Sequence, residues 1–237
     1  MKLFNISAVA LFLLHLGAGA QPQTMDGQSA SVKTGVTEQR SAYRVEGYGR
    51  MRFGMGADQV RTLLALDFPQ VSPAMIDQTD VFTRTRTLTL EVPSLAPGPG
   101  AATISCVFGA NSHRLIAVNV IWRVAGKTSK EQQAQLINAA AKLAGNFAQH
   151  QWPMLRATYG KVMAPGVSAV FAGRDAAGGG VEVWLQGVQL AIAPPLDNTS
   201  APKPADQDLP PGPASLRLTL VANADNPDIY RIPAGAF

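Results

Sequence analysis

The segment GYGRMRFGMGADQVRTLLALDFP, residues 47–69, sets the architecture of the chain. It continues an extended, aromatic lead-in over residues 43–53, where Tyr43, Val45, Tyr48, Met51 and Phe53 are loosely alternating. Gly54 and Gly56 then bracket Met55, a composition suited to a turn that needs positive φ. Val60, Leu63 and Leu64 follow at i, i+3 and i+4, the apolar stripe of a short helix. Phe68 and Pro69 close that helix, because the residue before a proline is driven out of the helical region. An amphipathic helix needs an apolar face to cover, and the downstream sequence supplies sheet.

Residues 81–92, VFTRTRTLTLEV, read as one strand. Phe82, Arg84, Arg86, Leu88, Leu90 and Val92 share one side, and Thr83, Thr85, Thr87, Thr89 and Glu91 the other. β-Branched threonines at period two suit a solvated sheet face. After the turn-rich PSLAPGPG of 93–100, residues 102–108 and 115–124 form a predicted hairpin through residues 109–112. Its core side carries Ile104, Cys106 and Phe108, then Ile116, Val118, Val120, Trp122 and Val124.

Residues 128–150 are the strongest helix of the chain. Thr128 and Glu131 stand in capping-box positions, and Leu136, Ile137, Ala140, Leu143, Ala144 and Phe147 make one stripe. Trp152 and Pro153 end it, and residues 155–163 read as a short helix or irregular chain. Residues 167–172 and 181–192 form a second predicted hairpin around the glycine-rich 174–180, with a bulge at Gly187. A proline- and aspartate-rich excursion occupies 194–213, and residues 215–222 are a last strand with Leu216, Leu218 and Leu220 facing one way.

A helix followed by hairpin strands therefore occurs twice, dividing the chain into units at 43–126 and 127–237. Duplication and the coincidence of two similar hairpins both account for the echo. The fold class is α+β, an antiparallel sheet with helices packed on one face and the other face open to solvent or a partner.

The motif Arg52-Phe53-Gly54-Met55-Gly56, with Val60, Leu63 and Leu64 behind it, resembles the helix start of small exported bacterial proteins. These include the β-lactamase-inhibitor-protein-like superfamily and the outer-membrane-assembly lipoproteins of the SmpA/OmlA type. The chain departs from them at Gly56, where those families place a Ser or Thr cap, and it lacks the lipoprotein cysteine. The resemblance implies a non-enzymatic exported module that binds a protein partner through its sheet, and it transfers no functional residue.

Residues 1–20 have the form of a secretory signal: Lys2, an apolar run over 6–16, and the small residues Ala18, Gly19 and Ala20 before the cut. Residues 21–42 read as a flexible polar leader. No later run is long enough to span a bilayer, so the expected location is periplasmic or secreted. Cys106 is the only cysteine, which excludes an internal disulfide. The net charge of +4 is dilute and forms no basic run, so nucleic acid is not an expected partner.

No catalytic constellation stands out. His113 and His150 lack metal-ligand spacing, and no GxSxG is present. Asp175, Asp225 and Asp228 lack the spacing of a calcium loop. Glu91 and Glu182 are candidates for a carboxylate pair, though nothing in the sequence places them together. No cofactor and no metal are expected. The candidate binding residues are Arg50, Arg52, Arg84, Arg86, Trp152 and Trp184, of the Arg and aromatic types enriched at interfaces. The expected function is an exported binding module whose partner is an envelope protein. A cell-envelope assembly or structural factor and a hydrolase with a dispersed site are the alternatives.

Overall fold

A computed structural model describes residues 42–154, 156–188 and 213–231. In chain order the elements are β1 (Gly47–Tyr48), β2 (Met51–Arg52), α1 (Ala57–Asp67), a 3-10 turn (Ser72–Ala74), β3 (Ile76–Thr79), β4 (Arg86–Val92), β5 (Ala102–Phe108) and β6 (Leu115–Val124). Then come α2 (Lys130–Ala148), β7 (Ala157–Ala164), β8 (Val167–Arg174), β9 (Gly180–Gln186) and β10 (Ala214–Val221). Eight strands make one sheet in the order β3-β4-β5-β6-β10-β9-β8-β7, every pairing antiparallel. β1 and β2 form a separate small hairpin. The architecture is α+β, with the helices on the sheet.

The register explains where the core lies. Leu88, Cys106, Val118, Leu220 and Val181 form one cross-strand row. Leu90, Ile104, Val120, Leu218, Val183 and Phe171 form the next, and Val92, Ala102, Trp122, Leu216 and Leu185 a third. All of these side chains belong to one buried cluster, which α1 joins through Val60 and Leu64 and α2 through Leu136, Ala139, Ala140 and Leu143. Each large apolar side chain so buried contributes about 1.5–3 kcal/mol of transfer free energy. Because side chains alternate along a strand, the same register drives Thr87, Thr89, Thr103, Ser105, Asn119, Ile121, Arg217, Thr219, Glu182 and Trp184 to the opposite face.

The 47–69 segment differs from its expected form in one respect. The lead-in is not a continuous strand. Gly49 at positive φ folds it into the β1–β2 hairpin, and Gly47 lies so close that a Cβ would collide with the Met51 carbonyl oxygen. Gly54 takes the positive φ of the following turn, and its N–H bonds to the Leu115 carbonyl at 3.0 Å. Leu115 N–H returns to the Met55 carbonyl at 2.8 Å, so the helix start is fastened to the first residue of β6. Gly56 is the N-cap of α1 without a side chain to cap it, and Gln59 accepts the Gly56 N–H at 2.9 Å instead.

Other boundaries move for identifiable reasons. The strand expected from residue 81 begins at Arg86, because the Asp80 carboxylate accepts from Phe82 N, Thr83 N and Thr83 Oγ1 and bends the chain into a turn. β3 was not legible, since all four of its residues are exposed and it has no apolar period. Leu115 rather than Ile116 is buried at the start of β6, because the register shifts between Val107 and Phe108. The cap of α2 is Ser129, which accepts from Gln132 N while Gln132 Oε1 accepts from Ser129 N, one residue beyond the Thr128 and Glu131 box. Residues 157–164 are edge strand β7 rather than a short helix. Gly187, at positive φ, lies just past the end of β9 rather than within a bulge. The signal at 1–20, the leader at 21–41 and residues 194–212 of the excursion lie outside the described residues.

Candidate functional site

The sheet face turned away from the helices carries an ordered polar and aromatic array. Ile121, Trp184, Val107 and Val221 face this side, and none of them belongs to the core cluster that the helices cover. At its centre Thr219 Oγ1 donates to Asn119 Oδ1 at 2.8 Å, and both residues are buried. One row further, Arg217 stands between Ile121 of β6 and Trp184 of β9. Its guanidinium carbon lies 5.7 Å from the centre of the Trp184 ring, and the Trp184 indole N–H donates to Glu182 Oε2 at 2.9 Å. The sequence places these three groups for a simple reason. They occupy the off-phase positions of strands whose in-phase positions are Leu216, Leu218, Val181, Val183 and Leu185.

Arg217 Nε is shielded from solvent and has no hydrogen-bond acceptor, the single such side-chain atom among the described residues. A shielded donor without an acceptor costs about 1–3 kcal/mol. The ring face of Trp184 offsets part of this through cation–π attraction. Arg123 adds an exposed guanidine to the same face, opposite Ser215 and two residues along from Ile121.

The expected binding residues are not brought together. Arg50 pairs with Asp67 at the end of α1. Arg52 donates to the carbonyls of Gly49 and Met51 within the β1–β2 hairpin. That hairpin lies on the helix side of the sheet, where Met51 Sδ is 3.5 Å from Cys106 Sγ. Arg84 sits at positive φ in the β3–β4 turn, with its guanidinium 3.8 Å over the Tyr230 ring. Arg86 makes a two-point contact with Asp77, which also takes Arg61 of α1 at 2.6 Å. Those guanidinium groups hold the Asp77 carboxyl below its usual range. Trp152 is packed between Tyr43 and Phe171 and donates to the Phe147 carbonyl at 2.9 Å. Only Trp184 of the six lies on the sheet face away from the helices.

Sequence reasoning missed Arg217, Arg123 and Asn119. The available signal was Arg217 itself, alternating with Leu216 and Leu218 and therefore facing away from the core. What it could not supply is that β10 pairs with both β6 and β9, which sets Arg217 beside Trp184.

Other chemistry is accounted for structurally. Glu91 and Glu182 face the same side but sit on β4 and β9, with β5, β6 and β10 between them. At about 4.8 Å per strand that is roughly 19 Å, beyond any glycosidase carboxylate spacing. The buried Asp175 carboxylate accepts from the backbone N–H groups of Val45, Ala177 and Gly179, each at 2.8 Å. Asp225 pairs with Arg174, and Asp228 binds the turn at Asn111 and Ser112. Among the described residues no group of three or more His, Cys, Asp or Glu side chains is placed to hold a metal. Cys106 is buried and its thiol is pushed up to about 12 by desolvation. A shallow depression of about 440 Å³ lies at the end of the sheet, lined by Arg44, Val45, Glu46, Arg52, Phe53, Asp175, Ala177 and Ala222. Its Asp175 carboxylate is already occupied by backbone donors. No helix of the described residues is long and apolar enough to cross a membrane.

The chain matches no protein-family model, and neither a curated protein nor a solved structure is significantly similar to it. The functional reading therefore rests on the geometry of the molecule itself.

Proposed function

We propose that the chain is an exported, non-enzymatic binding module that holds a protein partner on the sheet face opposite its helices. The observation that carries this reading is Arg217. Its guanidinium carbon lies 5.7 Å from the Trp184 ring centre in the middle of the sheet, with a shielded Nε that lacks an acceptor. Arg and Trp are the side chains most enriched where interfaces concentrate their energy. Thr103 and Ser105 add half-buried hydroxyls on the same face, beside the buried Asn119–Thr219 pair. Arg123 and Arg217 favour a partner segment that presents carboxylates. The same class of function is what the resemblance of residues 52–56 implies.

Export belongs to the same reading, supported by the signal pattern at 1–20. Amino-terminal sequencing of the mature protein should begin at Gln21. The direct test replaces Ile121 with a photo-crosslinking residue in the cells that make the protein, with Leu66, an exposed residue of α1, as the helix-side control. A discrete protein adduct at position 121 and none at 66 supports the reading. Equal labelling at both positions, or no adduct at 121, defeats it. An adduct that co-fractionates with membrane would point instead to an envelope assembly factor.

A further inference from the structure

The turn between β3 and β4 presents two large apolar side chains to solvent, Val81 at 78% and Phe82 at 82% exposure. Such exposure normally goes with a loose loop, yet this turn is braced throughout. Asp80 Oδ1 accepts from Phe82 N at 3.0 Å, Thr83 N at 2.7 Å and Thr83 Oγ1 at 2.9 Å. Asp80 N–H donates to the Thr85 carbonyl at 2.8 Å, closing the loop. From outside the hairpin, Tyr230 N–H donates to the Thr83 carbonyl at 2.8 Å, and the Tyr230 ring lies under Arg84. The backbone is thus held in place while Val81 and Phe82 are kept out of the core.

We propose that Val81 and Phe82 form a preorganised anchor that inserts into an apolar pocket of a protein partner whose rim carries a cation or free N–H donors. Inserting a braced turn loses little conformational entropy, which is the condition for a short apolar anchor to contribute strongly. The rim chemistry follows from Asp80. Its Oδ1 is fully engaged, and its Oδ2 takes no hydrogen bond among the described residues. Those hydrogen bonds hold the carboxyl below its usual range, so the charge persists beside Phe82. Arg84, two residues beyond Phe82, holds a cation over the Tyr230 ring, so the turn carries both charges and the vesicle arm of the test below separates a bilayer from a protein pocket. On a second copy of the chain, the depression beside Asp175 sets Val45, Phe53, Ala177 and Ala222 among the mixed charges of Arg44, Glu46 and Arg52, and an adduct with the mass of a dimer marks that alternative in the test below. The anchor adds a contact to the binding-module reading and stands or falls separately from the sheet face.

The test places a photo-crosslinking phenylalanine at position 82 of the full chain in its own cells. The captured protein is then purified, and its affinity is measured for the natural chain, Phe82→Ala, Phe82→Leu, Asp80→Asn and Trp184→Ala. Phe82→Ala should weaken binding roughly 10- to 100-fold, while Phe82→Leu stays within about threefold. Asp80→Asn, which keeps the turn oxygen but removes the charge, should weaken binding several-fold and flatten its salt dependence. Melting of Phe82→Ala should be unchanged, which separates binding from folding. Equal affinity for Phe82→Ala and the natural chain overturns the proposal. So does an adduct with the mass of a dimer, the absence of any adduct, or Phe82-dependent binding to vesicles of phosphatidylcholine and phosphatidylglycerol. If Trp184→Ala weakens binding and Phe82→Ala does not, the sheet-face reading survives without the anchor; the reverse leaves the anchor without the sheet face.

Discussion

Asp228 accepts the backbone N–H of Ser112 at 2.8 Å across 116 residues of chain. Its other oxygen takes Asn111 N and Nδ2, and its own carbonyl takes Ala110 N–H at 3.0 Å. The segment that follows β10 is thereby clamped to the β5–β6 turn, and through Tyr230 it reaches the β3–β4 turn as well.

The clamp should be visible in acid. Hydrogen bonds from Ser112 and Asn111 lower the Asp228 carboxyl from 3.8 to about 2. A depressed folded value means that its contribution is present above the unfolded value and is lost as pH falls from about 4 toward 2. The group is solvent-accessible, so that contribution is about 1 kcal/mol after screening. Asp228→Asn should lower the melting temperature at pH 7 by about 2–4 °C and leave a shallower stability loss between pH 4 and pH 2.

Asp175 should matter more, because it is buried and three backbone amides depend on it. Asp175→Ala leaves those donors unpaired and is expected to cost about 3 kcal/mol or more in denaturant unfolding. It also frees Val45, so limited proteolysis should cut at Arg44 in the variant and not in the natural chain.

Two glycines of the opening segment should respond in opposite directions. Gly47→Ala drives a Cβ into the Met51 carbonyl at a φ of 144° and should destabilise by about 2 kcal/mol or more. Gly56 has an ordinary φ of −76°, and the nearest atom to an added Cβ is 3.6 Å away. Gly56→Ser supplies the missing helix cap and should stabilise by a few tenths of a kcal/mol, read as a raised melting temperature.

Arg217→Met tests whether the sheet face is kept for folding or for binding. It preserves the apolar stem and removes the shielded Nε that has no acceptor. Unfolding free energy should hold or rise by about 0.5 kcal/mol, while crosslinking through position 121 falls.

Cys106 should be inert in the folded protein. Burial pushes its thiol up to about 12. A thiol reagent at pH 8 should label it only at the rate of global unfolding, and denaturant should make labelling immediate.

Much of the fold was legible because the apolar periods are strong. Leu88, Leu90 and Val92, then Ile104, Cys106 and Phe108, then Val118, Val120 and Trp122 alternate cleanly, and all are buried. The stripe of α2 was visible for the same reason. β3 and β7 were not, because edge strands bury one flank at most and Tyr159 and Val162 remain largely exposed. The candidate site was less legible still. Arg84 and Arg86 looked unusual on an apolar side of their strand. Asp77 and Tyr230, which explain them, come from a strand without a pattern and from a segment about 145 residues away.

The sequence by itself determined the class of the fold and which face of β4, β5 and β10 is core, because alternation and helical stripes are local properties of side-chain hydrophobicity. Tertiary structure alone decided what stands on the other face. Arg217 and Trp184 are 33 residues apart in sequence and meet only because β10 inserts between β6 and β9. Strand order is set by the summed burial of three rows crossing the sheet, a quantity that no single segment carries. The opening segment shows the same division. Its helix was written in Val60, Leu63 and Leu64, but its attachment to Leu115 through two backbone hydrogen bonds exists only once β6 is in place.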